Sequence, residues 1–80
     1  MMTVAERWDR FVLLVLPPSA PLIQRREMRR AFYAGFSEAL AAGIEMAEES
    51  GPDDDLGATM MRRLHNECEQ FALDVAAGEA

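Results

Sequence analysis

Arg25, Arg26, Arg29 and Arg30 stand within six consecutive positions of a chain that contains no lysine, and Tyr33 and Ser37 follow at helical spacing. Guanidinium groups make planar, bidentate contacts with phosphate or carboxylate and stack on rings. Two or three of them can hold phosphate oxygens while Tyr33 stacks on a base or closes over a ribose, so the pattern suits a nucleotide-like anion. Gln24 and Ser37 are placed to add hydrogen bonds. The ligand-binding set read from the sequence is therefore Gln24, Arg26, Arg29, Arg30, Tyr33 and Ser37. The competing reading is structural, with the arginines forming ion pairs in cis with Glu27 or Glu38, or across subunits with Asp53 to Asp55. Near the start of a helix, however, each exposed cation opposes the helix dipole by roughly 0.3 to 1 kcal/mol. A bound anion relieves that conflict and also meets the free backbone amides from Ala20 to Ile23. A partner's carboxylates relieve the dipole conflict as well.

The cluster needs a helix to gather it. Thr3 and Glu6 have the spacing of a capping box, which predicts a first helix over about residues 4–16, running through Trp8, Phe11 and Val15 and ended by Pro17-Pro18. The run Phe11 to Leu16 also reads as a short buried strand, but the chain offers no second strand to pair with it. A proline-rich connector over 17–21 leads to a long second helix over about 22–49, stopped by Ser50-Gly51-Pro52. Its apolar seam falls at Met28, Phe32, Gly35, Ala39, Ala42 and Met46, widened by Phe36, Leu40 and Gly43. At about 100° per residue, Arg26, Arg29, Arg30, Tyr33 and Ser37 share a sector beside that seam, and Ala41 and Ile44 continue it.

Asp53 to Asp55 fit the N-terminal end of a third helix over about 53–76, where carboxylates cap free amides. Gly57, Met61, Leu64, Cys68, Phe71 and Val75 repeat the four-three rhythm of the second helix. The expected fold is all-α: helices 2 and 3 form an antiparallel hairpin, helix 1 packs on it, and Gly78 to Ala80 fray. Gly35 and Gly43 point to a tight helix crossing.

Other residues carry less chemistry. His65, Cys68 and Glu69 lie at i, i+3 and i+4, but Cys68 belongs to the apolar seam and reads as a small buried thiol rather than a ligand or nucleophile. The Asp53 to Asp55 run lacks the ligand spacing of a calcium loop. Trp8, Phe11, Phe32, Phe36 and Phe71 read as core. No catalysis, metal or cofactor is expected.

The formal net charge of −6 argues against duplex nucleic acid as a partner, because counterion release needs many cations on one face. One cysteine forms no intrachain disulfide, and with no apolar run approaching the roughly 20 residues of a membrane span, the reading is cytoplasmic and non-membrane. Glu6 and Asp9 in the flank of the apolar run argue against a signal peptide. Eighty residues predict a single small domain, and with half of them hydrophobic it holds more apolar surface than so small a fold hides. A homo-oligomer is expected.

The segment Leu16-Pro17-Pro18-Ser19-Ala20-Pro21, followed by Gln24 and by Glu27 to Gly35 with its Met-Arg-Arg-Ala-Phe-Tyr-Ala-Gly reading, resembles a group of short proteins of tailed bacteriophages and prophages. Leu64, Glu67 and Phe71 match the leucine and glutamate pattern of their second helix, and the resemblance covers about two thirds of the chain. It implies a phage context, in which small acidic oligomers antagonise host defence by sequestering a nucleotide signal or by masking a host protein. In that context an oligomer brings copies of Arg26, Arg30 and Tyr33 together. The resemblance brings no catalytic or cofactor motif. The leading expectation is sequestration of a nucleotide-like signal, and the alternative is a protein-protein inhibitor or assembly factor acting on a host or phage protein.

Overall fold

The computed structural model describes residues 1–80 and is all-helical: α1 (Val4–Val15), α2 (Leu22–Ser50) and α3 (Asp54–Ala76), with no strand. These elements fall into two compact units, Met1–Ala41 and Ala42–Ala80.

In the first unit, α1 starts with the capping box that Thr3 and Glu6 predict. The Glu6 amide donates to Thr3 Oγ1 at 3.1 Å, and the Thr3 amide donates to Glu6 Oε1 at 3.1 Å. Those two donors from Thr3, its backbone N–H first and its hydroxyl second, hold the Glu6 carboxyl below its ordinary value. The helical reading of Phe11 to Val15 holds, but Leu16 lies outside the helix in an extended conformation (φ −87°, ψ 129°). Pro17 explains this, since a proline ring disfavours helical geometry in the residue before it.

Leu16 and Trp8 are the only buried residues, and α1 packs on the first half of α2 through aromatic rings. Phe32 sits 5.2 Å from Phe11 and 5.6 Å from Trp8, with Phe11 stacked on Trp8 at 5.7 Å and Phe36 at 6.5 Å from Phe32. Such offset and edge-on pairs each add to the burial term. The rest of the apolar run is not core: Leu13 is 86% and Leu14 77% exposed.

Arg25 has a role that the cluster reading missed. Its Nε donates to the Ala20 carbonyl and its Nη2 to the Pro18 carbonyl, both at 3.4 Å, so it straps the connector to α2. The Arg25 amide donates to the Pro21 carbonyl at 3.1 Å, which makes Pro21 the residue that opens α2. Proline has no side-chain oxygen to cap the amides that follow.

In the second unit, α2 ends on Gly51, whose φ of 55° is the left-handed geometry glycine adopts without strain, and its amide closes on the Ala47 carbonyl at 3.1 Å. Asp53 caps α3, its Oδ1 accepting from the Leu56 amide at 3.0 Å. Helix 3 therefore begins at Asp54, with Asp53 as its cap. Ala42, Glu45, Met46 and Glu49 of α2 and Met60, Arg63, Leu64 and Glu67 of α3 line one groove, as a hairpin of the two helices requires.

Three expectations about packing are corrected. First, Met61, Cys68, Phe71 and Val75 are exposed, the last two at 62% and 51%. The groove that α3 shares with α2 is lined on its side by Met60, Arg63, Leu64 and Glu67, which leaves Met61 and Cys68 beside it and Phe71 and Val75 beyond its end. Cys68 is accordingly a solvent-facing thiol and not a buried one. Second, a Cβ built on Gly35 or Gly43 meets nothing within 4 Å, so neither glycine serves a tight crossing in the chain itself. Third, the end of α3 is capped and not frayed. The Glu79 amide donates to the Asp74 carbonyl at 2.8 Å and the Gly78 amide to Val75 at 3.1 Å, with Gly78 at φ 76°.

Candidate functional site

The first turns of α2 carry the site. Residues 26, 29, 30 and 33 are neighbours on a helix surface, because positions three and four apart share a face. Arg26, Arg29, Arg30 and Tyr33 together line an open concavity of about 430 Å³ in the first unit. That volume falls within the range of roughly 300 to 1,000 Å³ typical of small-molecule sites.

The electrostatics are unusual for an acidic chain. The one contact of salt-bridge length in the molecule is the hydrogen bond between His65 Nε2 and Glu69 Oε1 at 3.0 Å on α3, so none of the arginines is paired with a carboxylate. The cis pairs with Glu27 or Glu38 do not form. Arg26, Arg29 and Arg30 are exposed, and Arg29 is engaged only with the Tyr33 ring, its Cζ lying 5.5 Å from the ring centroid. Tyr33 is half-buried, held edge-on by Phe32 at 6.3 Å. One face of the tyrosine thus already carries a cation.

Gln24 and Ser37 do not join this lining. Gln24 directs its amide to Met28 Sδ at 3.9 Å, away from the arginines, and Ser37 is exposed one turn beyond Tyr33. Of the six residues that the sequence singles out, the structure brings four together. A second feature was not legible from spacing: Phe11, Leu14, Val15, Phe32 and Phe36 line an apolar groove of about 260 Å³ with Arg7 and Arg10 at its edge. Only the docking of α1 on α2 creates it.

No helix is long and apolar enough to cross a membrane. No protein-family model matches the chain, and neither the curated proteins nor the solved structures contain a match to it.

Proposed function

We propose that this protein is a non-enzymatic, phage-type binding protein that sequesters a nucleotide-like anion on the Arg26, Arg29, Arg30 and Tyr33 face. The observation that carries this reading is the pairing of three exposed, carboxylate-free guanidinium groups with a half-buried aromatic ring around one concavity. Guanidinium forks donate bidentately to phosphate oxygens, and the Tyr33 ring offers a surface on which a base can stack. The anion also offsets the unfavourable meeting of cations with the positive end of α2. In a phage setting such capture would deplete a host immune signal and so act as an anti-defence device.

A thermal-shift panel of mono-, cyclic di- and cyclic trinucleotides tests it. A ligand at about 100 times its Kd stabilises the folded state by about 2.7 kcal/mol. Arg30→Ala should abolish the shift, while failure of every nucleotide to move the melting temperature would sink the reading. A second reading, a protein-protein inhibitor or assembly factor, is favoured by one observation: Leu13, Leu14, Leu22 and Ile23 are between 64% and 86% exposed. Such apolar surface on a small chain marks contact with another protein. Loss of partner capture on Leu14→Asp, with nucleotide binding intact, would support that reading.

A further inference from the structure

Charge is divided unevenly along the chain. Six arginines against four carboxylates give Met1–Ala41 a formal charge of +2, and two arginines against ten carboxylates give Ala42–Ala80 a charge of −8, which together make the −6 of the whole. Within α2 the arginines lie in the first turns and Glu45, Glu48 and Glu49 lie in the last.

The order of residues on one face of α2 is symmetric as well. Arg26, Arg30, Tyr33, Ser37, Ala41, Ile44 and Glu48 follow one another at spacings of four, three, four, four, three and four, all within one helical sector. Ser37 is the midpoint. A second α2 laid antiparallel on this stripe, with the twofold at Ser37, sets Arg26 against the other copy's Glu48 and Arg30 against its Ile44, with Glu45 and Glu48 of that copy on the same flank. Tyr33 meets Ala41, and the crossing point is Ser37 on Ser37, small enough for two backbones to approach. Isologous contacts repeat every pair twice, so both arginine clusters are met by carboxylates.

Two further observations fit a second copy as the occupant. Ile44 is 61% exposed and the arginines have no carboxylate in their own chain.

We infer that the arginine and tyrosine stripe of α2 is a self-association surface on which a second copy packs antiparallel, its Glu45 and Glu48 occupying the arginines that an anionic ligand would otherwise take. This rests on the proposed anion site for its second half: self-association and ligand capture are mutually exclusive, and the free ligand drives the dimer apart. The two arginine clusters then lie about 27 Å apart along the helix pair, at opposite ends and not merged.

Charge reversal decides it. Arg26→Glu with Arg30→Glu makes one variant, and Glu45→Arg with Glu48→Arg makes the other. Sedimentation equilibrium at micromolar concentration and low salt should show the parent as a dimer and each variant alone as a monomer of parental helicity. An equimolar mixture should re-form dimer, because both contacts of the heterodimer are then complementary. The parent's dissociation constant should rise at least about tenfold between low salt and roughly 0.5 M salt. A monomeric parent, variants that stay dimeric alone, or a mixture that stays monomeric overturns the inference. If the mixture dimerises but the Glu45→Arg, Glu48→Arg variant, which keeps every arginine, binds no nucleotide, the interface stands and the anion reading falls.

Discussion

Gly35 and Gly43 sit in the interior of α2 with helical φ values and nothing within 4 Å of where a Cβ would lie. Replacing both by alanine therefore changes the backbone term alone. Glycine costs about 0.8 to 1.0 kcal/mol relative to alanine at an interior helical position, and the positions share no contact, so the double variant should gain about 1.5 to 2 kcal/mol. For a domain of this size each kcal/mol moves the melting temperature by about 4 to 8 °C, which converts the gain to a rise of roughly 6 to 16 °C. Urea titration and thermal melting, both followed by far-UV circular dichroism, measure it. Gly57→Ala is the internal control, because its Cβ would stand 3.3 Å from Ser50 Oγ and the gain should be smaller. Loss of stability at Gly35 or Gly43 would refute the reasoning and show that another backbone lies against that face in solution. The proposed dimer stripe is no such case, since it runs on the other side of α2.

Two more outcomes follow from the first unit. Phe32→Ala removes the ring that Trp8, Phe11, Tyr33 and Phe36 all touch, and for a half-buried phenylalanine a loss of about 2 to 3 kcal/mol is expected; a loss below about 1 kcal/mol, or an unchanged near-UV spectrum of Trp8, would contradict the cluster. The Glu6 carboxyl is held below its ordinary value of 4.5 by Thr3. Its contribution is complete above that value, and it falls as pH drops below 4.5 and is gone once the native carboxyl is protonated, because the unfolded chain takes up its proton first. Thermal melts from acid to neutral pH on the parent and on Glu6→Gln should show a shallower acid slope in the variant, and identical slopes would remove Glu6 from the account.

Local signals proved the most legible. Thr3 with Glu6, Ser50-Gly51-Pro52 and Asp53 each state a helix end in terms of donors and acceptors a few residues apart, and each cap is in place. The gathering of Arg26, Arg29, Arg30 and Tyr33 followed from the same short range, since three- and four-residue spacing alone brings them together. What the sequence could not convey depends on partners far along the chain. The four-three rhythm of α3 states that Met61, Cys68, Phe71 and Val75 share a face but not whether anything covers it. Gln24 belonged to the cluster by sequence neighbourhood, yet the turn of the helix points it at Met28. Arg25, equally cationic, turned out to serve the connector because the carbonyls of Pro18 and Ala20 lie within its reach.

Helix α2 has no acidic residue in its first turn and no basic residue in its last, while arginines and glutamates hold the opposite ends. Its side-chain charges thus run against its own dipole, and its opening residue, Pro21, supplies no capping oxygen. The consequence concerns time more than place. The first turns of α2 should therefore open more readily than their position in a 29-residue helix would imply, and whatever neutralises the arginines should slow that opening. The amides from Arg25 to Arg30 would thereby serve as a clock of the proposed occupancy: their hydrogen exchange should slow when an anion, phosphate or carboxylate, is seated, before any change in fold could be seen.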